Sequence, residues 1–146
     1  MKNLIFIVIA CIAQQMAAQE AEVKKSIETF FDGLHTGDTI KIGTVCREGM
    51  LLQSVTETPA GNRFVSETLP GFYKSIASIP AGMKLEERLL DYKIQVDGPL
   101  AHVWTPYEFY VNGKVSHSGV NSFQLYNEGG IWKIIYIADT RRIRKQ

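Results

Sequence analysis

From Ala21 to His35 the residues Val23, Ile27, Phe30, Phe31 and Leu34 recur three and four apart, which predicts an amphipathic helix with one apolar stripe. Glu22, Lys24, Lys25 and Glu28 fall on its other side. Gly37 suits the left-handed position that ends such a helix, and Asp38 or Thr39 can cap a short second helix reaching about Val45. Between Met50 and Glu67 apolar and polar residues alternate on either side of Pro59-Ala60-Gly61-Asn62, so a small hairpin is expected. Thr68 then caps a third helix that tolerates Pro70 in its first turn, buries Phe72, Ile76 and Ile79, and stops at Pro80-Ala81-Gly82.

From Leu85 onward the period becomes two and stays there. Strands are expected at about Leu85 to Val96, Leu100 to Val111, Val115 to Tyr126 and Ile131 to Thr140, with joints at Asp97-Gly98-Pro99, Asn112-Gly113 and Asn127 to Gly130. Asn-Gly is a strong hairpin signal, because both turn positions require positive φ. Strands this long must twist and bend. The expected class is therefore α+β, with three N-terminal helices packed on the concave face of a long curved antiparallel sheet. On the last strand Ile131, Ile135 and Ile137 are assigned to one face and Trp132, Ile134 and Tyr136 to the other. Helices can cover only one of these faces, so the second is expected to meet another copy of the chain.

The first nineteen residues break this pattern. Lys2 is a basic start, Leu4 to Ala13 an apolar run, and Met16-Ala17-Ala18-Gln19 a small-residue processing site, together the form of a signal peptide on a single domain spanning 20–146. The run is too short to cross a bilayer. An alternative lies in Val8-Ile9-Ala10-Cys11, a lipoprotein-like box in which Cys11 would be acylated. Either way the protein is expected to be exported, to the periplasm or beyond. Removal of Lys2 takes the formal charge from +1 to zero, which gives no electrostatic footprint for nucleic acid. The basic tail of Arg141, Arg142, Arg144 and Lys145 reads as a solvated terminus or an anion-binding patch. Cys46 alone of the 2 cysteines would survive processing, so no intrachain disulfide is expected and Cys46 reads as a small packed side chain.

Three helices with a small hairpin, followed by a long meander, resemble the nuclear transport factor 2-like superfamily, which includes ketosteroid isomerase, scytalone dehydratase and SnoaL-type polyketide cyclases. The phrases Trp104-Thr-Pro-Tyr-Glu-Phe-Tyr110, Ser116-His-Ser-Gly-Val-Asn-Ser-Phe123 and Gly130-Ile-Trp-Lys-Ile through Asp139-Thr-Arg141 are similar to its small exported branch described as lumazine-binding. The resemblance covers the whole mature chain. It implies a conical, cystatin-like fold, a pocket between helices and sheet, and homodimers. The dehydratases of the superfamily use a histidine with an aspartate, for which His117 and Asp139 are the matching pair here.

On the third long strand His117, Gly119, Asn121, Phe123 and Leu125 share a face that grades from polar to apolar. That gradient suits a pocket wall. His117 is the candidate base or hydrogen-bond partner, with Asp139 sharing its face only if the hairpin register permits. Asn121 can orient a ring or carbonyl, and Gly119 can let a ligand or another backbone come close. Trp104, Tyr107, Glu108 and Tyr110 supply aromatic groups and a carboxylate from the neighbouring strand, where Pro106 signals a bulge or an exposed edge. The ligand-binding set is thus Trp104, Tyr107, Glu108, His117, Asn121 and Phe123. Asp139 and Arg141 stand two apart, as an ion pair at the pocket rim would. His102 reads as a packing residue, and His35 as a cation at a helix C-terminus. No phosphate loop, nucleophile elbow, metal-ligand spacing or cofactor motif occurs. Three functions remain open: a domain holding a small apolar or aromatic molecule, an isomerase or dehydratase using His117 as base, and an interaction module with a vestigial pocket.

Overall fold

The computed structural model describes residues 2–143, with side chains from Gln14 onward. The side chains of the apolar start, Cys11 included, and the tail residues Arg144 and Lys145 lie outside the described residues. The elements in order are α1 (Lys2–Thr36), α2 (Thr39–Val45), β1 (Cys46–Thr58), β2 (Gly61–Thr68), α3 (Leu69–Ala77), β3 (Leu85–Leu89), β4 (Lys93–Asp97), β5 (Leu100–Val111), β6 (Lys114–Glu128) and β7 (Ile131–Ile143). Among the described residues no helix is long and apolar enough to cross a membrane.

The local signals act as expected. The Asp38 carboxylate accepts from the Lys41 amide at 2.9 Å to cap α2, and the Thr68 hydroxyl accepts from the Gly71 amide to cap α3. Asn112 and Gly113 take φ of 50° and 77° in the turn between β5 and β6, the left-handed pair that matches strand twist. The stripe of α1 is buried: Val23, Ile27, Phe30 and Phe31 lie against Val103, Phe123, Leu125, Trp132, Ile134 and Ile137 of the sheet. Phe123 meets Phe30 and Phe31 edge-on, with ring centroids 6.3 and 6.0 Å away. Each such ring contributes roughly 1.5–3 kcal/mol by burial. Because α1 touches β3, β4 and β7, it crosses the curved sheet from one side to the other.

The strand order is β2-β1-β7-β6-β5-β3, with β4 also paired to β5. The sheet departs from the expected all-antiparallel meander in three places. First, β1 pairs with β7 in parallel, Leu52 beside Ile137 and Ser54 beside Asp139. The hairpin thereby extends the meander instead of standing apart, and the long chain between β1 and β7 serves as the crossover that parallel strands require. Second, the strand expected from Leu85 to Val96 is two strands. Leu89 pairs with Tyr107 and Lys93 with Trp104, so three residues, Leu90 to Tyr92, oppose only Thr105 and Pro106. The Pro106 carbonyl accepts from the Leu90 amide at 2.9 Å, which aims its nitrogen the same way, and a proline nitrogen has no hydrogen to give. The ladder breaks where that donor is missing, so the bulge signalled by Pro106 falls on the partner strand.

Third, the face assignment on β7 is corrected. Gln124 pairs with Tyr136 but Leu125 with Ile134, leaving Ile135 as an extra residue. A one-residue insertion reverses the alternation. Ile137 therefore joins Trp132 and Ile134 in the core, and Ile135 does not.

On the opposite, convex face a band of three rows is uncharged, bordered by Lys93 beside Trp104 and by the row Glu108-Ser118-Arg142-Glu57. Across β5, β6, β7, β1 and β2 three rows run Trp104-Ser122-Ala138-Gln53-Ser66, His102-Gln124-Tyr136-Leu51-Thr68 and Pro106-Val120 followed by Thr140-Val55-Phe64, the two parts of the third joined by the Val120 amide and the Thr140 hydroxyl. None of these is Asp, Glu, Lys or Arg. Trp104 and Phe64 are 45% and 60% exposed.

Candidate functional site

Between the helices and the concave sheet lies a cavity of about 260 Å³. Phe30, Phe31 and Leu34 of α1, Phe72 and Ile76 of α3, and Phe123, Ile137 and Leu52 of the sheet form its apolar walls. Glu87, Tyr107, His117, Asn121, Asp139 and Arg141 gather at its polar end. Simple alternation puts them there: Thr105, Tyr107 and Phe109 of β5 pair with Asn121, Gly119 and His117 of β6, and Asn121 pairs with Asp139 of β7.

The register settles the geometry of the suspected pair. Asp139 stands opposite Asn121, whereas His117 stands opposite Ile143. His117 and Asp139 share the face, and no hydrogen bond joins them among the described residues. The imidazole stacks on Phe109 at 4.8 Å and meets Tyr107 edge-on at 5.8 Å. Its Nδ1 lies 3.3 Å from the Ser116 hydroxyl, and its Nε2 has no partner among the described residues. Burial pushes its pKa below the ordinary histidine value, Arg141 adds to this and Asp139 opposes it. The ring is neutral at pH 7 and can offer one nitrogen as an acceptor or the other as a donor.

Asp139 is instead held by three other donors. The Tyr107 hydroxyl donates at 3.2 Å and Arg141 Nε at 2.9 Å, and the Ser54 hydroxyl donates to the other oxygen. Arg141 Nη2 also donates to Ser54 Oγ at 2.9 Å. The ion pair read from the spacing of Asp139 and Arg141 is present, with the Asp139 side chain 11% exposed and Arg141 at the rim 48% exposed.

Gly119 has an identifiable task. A Cβ there would sit 1.7 Å from the Thr140 carbonyl oxygen and 2.9 Å from the Tyr107 ring. Of the two visitors a glycine could admit, it is the backbone of β7 that comes close. Thr140 has turned its carbonyl onto the concave face, where it accepts from the Tyr107 hydroxyl at 2.9 Å. The Val120 amide, which would otherwise meet that carbonyl, donates to Thr140 Oγ1 at 3.1 Å. Burial, then the negative charges of Asp139 and Glu87, push the Tyr107 phenol well above its ordinary pKa, so it remains a donor to both acceptors.

The residue that sequence reasoning missed is Glu87. The Asn121 side chain, 5% exposed, donates from Nδ2 to Glu87 Oε1 at 2.6 Å. Burial pushes the Glu87 carboxyl up from 4.5 to about 7; the Asn121 bond and Arg141 pull down against it, and Asp139 pushes up. A signal existed: in Leu85-Glu-Glu-Arg-Leu89, Glu87 has the parity of two leucines and so points inward. His35 helps to place it. Its Nε2 accepts from the Glu87 amide at 2.8 Å, and burial holds its pKa low, so His35 is a neutral tie between α1 and β3 and not the expected cation.

Trp104 and Glu108 do not reach this cavity, because they alternate with Tyr107 onto the convex side. Glu108 there accepts from the Tyr110 hydroxyl at 2.8 Å. His102 is half-buried on the same side, with the Gln124 amide 2.9 Å from Nδ1. Cys46 is buried, and burial pushes its thiol up to about 12, which removes the thiolate needed for reactivity. Among the described residues no cluster of three metal-ligating side chains occurs.

No family model matches the chain, and no curated protein matches it. Solved structures do. An NTF2-like protein from Cytophaga hutchinsonii ATCC 33406 superposes with a TM-score of 0.69 at 14% identity, over 84% of this chain and 98% of that one. A protein of unknown function with a cystatin-like fold from Nostoc punctiforme PCC 73102 gives 0.67 at 12% identity, over 86% and 92%. A candidate dehydratase of the NTF2-like family from Streptomyces avermitilis gives 0.66 at 15% identity, over 88% and 99%.

The chain has the nuclear transport factor 2-like fold. At these identities the likeness carries the fold alone, so the lumazine-binding likeness rests on the sequence phrases. What belongs to this nuclear transport factor 2-like domain itself is the polar end of its cavity. There a saturated Asp139-Arg141-Ser54-Tyr107 group stands beside a Glu87 carboxyl whose side chain has only the neutral Asn121 amide as partner among the described residues.

Proposed function

We propose that this is an exported ligand-binding domain that holds a small, largely apolar molecule inside its cone and works as a homodimer. The observation that carries the binding role is the cavity of about 260 Å³ between helices and sheet, apolar on most sides and polar at one end. That division is how a pocket buries a ligand body and fixes its orientation with a few polar groups. The signal-like start supports export. An uncharged band on the convex face, bordered by Lys93, Glu108 and Arg142, supports the dimer: a two-fold interface sets a surface against its own copy, and a core without ionised groups inside a charged rim does so without unpaired charge.

A second reading has one specific observation behind it. His117 lines the cavity with a neutral imidazole whose Nε2 has no partner among the described residues, as a base for proton transfer or dehydration would, with Asp139 or Asn121 in support. A neighbouring structure described as a candidate dehydratase shares the fold.

The test is mass spectrometry of small molecules retained by the purified protein, followed by rebinding to wild type and to an Ile76→Trp variant whose indole fills the cavity. Rebinding to wild type and not to the variant supports the pocket. Equal binding by both refutes it. A His117→Ala protein that still converts a bound compound removes the catalytic reading.

A further inference from the structure

The cavity holds charges that do not balance. Arg141 is committed to Asp139 and Ser54, and it sits at the rim. Glu87 takes part in no ion pair among the described residues, and its one side-chain hydrogen bond comes from a neutral amide. An anionic ligand would bring a third negative group beside Glu87 and Asp139. A neutral ligand would leave Glu87 without a counter-charge. The walls meanwhile carry Phe31, Phe109, Phe123 and Tyr107, whose ring faces attract cations.

We propose that this pocket takes a ligand bearing a primary ammonium group on an aromatic or short apolar body, with the Glu87 carboxylate as its counter-ion. The inference rests on the pocket reading above and names its ligand class. Glu87, Phe109 and His117 stand in one row across β3, β5 and β6. An ammonium at that row has the Glu87 carboxylate as acceptor and counter-charge, with the stacked Phe109 and His117 rings beside it to shelter its charge. Association then requires the ionised form of Glu87. The groups packed around it are His35 of α1, with Asp32 beside it, Tyr107 of β5, Asn121 and His117 of β6, and Asp139 and Arg141 of β7. Glu86 and Arg88 pair with each other on the opposite side of β3. Burial moves both histidines below their ordinary value, so they are neutral at pH 8, and Glu87, pushed up to about 7, is the carboxyl whose ionisation the pH series follows.

The experiment is calorimetric titration of the full chain with three probes of one shape: 2-phenylethylammonium, 2-phenylethanol and 3-phenylpropanoate. At pH 8 the ammonium is expected to bind at least about ten-fold more tightly than the alcohol, with the propanoate weakest. Between pH 8 and pH 6 its affinity should fall about ten-fold, following the ionised fraction of a carboxyl near 7, while the alcohol's does not. Glu87→Gln should erase the order of the three probes. An alcohol that matches the ammonium at pH 8, a pH-independent ammonium affinity, or an order that persists in the Gln variant overturns the inference and leaves the pocket reading standing. If none of the three probes binds, the pocket reading falls and takes the inference with it. The pH series needs only the wild-type protein, so the test does not depend on the variant folding.

Discussion

Replacing Glu87 by Gln should stabilise the protein at alkaline pH and leave it unchanged in acid. The carboxyl titrates at about 7 in the folded chain against an ordinary 4.5, with burial as the first cause. Because the folded-state value is the higher, the folded protein binds the extra proton between those two values. The contribution of this group to stability is therefore greatest below pH 4.5, falls as pH rises through that window, and reaches its full loss above 7. At about 1.4 kcal/mol per ten-fold displacement the loss at pH 8 is about 3 kcal/mol, and partial solvent access to this half-buried residue brings it to about 2–3 kcal/mol. Glutamine keeps the carbonyl that accepts from Asn121 and removes the charge. Urea unfolding followed by tryptophan fluorescence suits the measurement, since Trp132 is 2% exposed in the core. The variant should gain about 2–3 kcal/mol at pH 8 and nothing resolvable at pH 4. The depressed histidines His35 and His117 tilt the profile the other way, adding stability as pH rises, but they are present in both proteins and drop out of the difference. A wild type as stable as the variant at pH 8, or a gain that persists unchanged at pH 4, would refute the burial of an unpaired carboxyl at this site.

Three further substitutions test separate parts of the structure. Gly119→Ala puts a methyl group where the Thr140 carbonyl lies, 1.7 Å from an ideal Cβ; backbone cannot move aside cheaply, so a loss of at least about 3 kcal/mol is expected in urea melts, and a loss under 1 kcal/mol would contradict the close approach. Tyr107→Phe removes the donor to Asp139 and to the Thr140 carbonyl and should cost about 1–3 kcal/mol, measured by the same unfolding. Trp104→Glu puts a charge at the edge of the uncharged convex band, beside Lys93; if the proposed dimer forms through this band, sedimentation should show a folded monomer for the variant and a dimer for wild type, and a variant that dimerises as wild type does would move the interface elsewhere.

Much of the fold could be read because its signals are local. The stripe of α1, the caps at Asp38 and Thr68 and the Asn112-Gly113 turn each depend on a few neighbouring residues, and each appears where expected. The inward set on β6, His117 to Phe123 at every second position, was also legible, since alternation along one strand needs no knowledge of its partner. Two of the failures depended on two strands at once. Pro106 interrupts β3 and β4, not its own strand, because the missing donor points across the ladder. Ile135 reverses the faces of β7 through a bulge visible only against Gln124 and Leu125. The grouping of Trp104 and Glu108 with Tyr107 overlooked the alternation that was applied correctly on β6.

The same distinction explains how Glu87 escaped notice. A carboxylate between two leucines of matching parity is an unfavourable place for a charge, and β3 is too short for its alternation to stand out from the single long strand expected there. Yet the mismatch between a charged residue and an apolar parity is itself the informative feature. A fold that needed only a core would place an apolar side chain at Glu87, as it does at Leu85 and Leu89. Here the chain keeps an ionisable group in the cavity and supports it with Asn121 and the His35 tie on its backbone, two interactions that position the carboxyl without neutralising it. Structural ion pairs in this protein are built differently: Asp139 is saturated by three donors and lies against a guanidinium. The contrast between a carboxylate that is fully satisfied and one that is positioned but uncompensated among the described residues, in one cavity and on one sheet face, is what singles out Glu87 as the counter-ion for the proposed ligand.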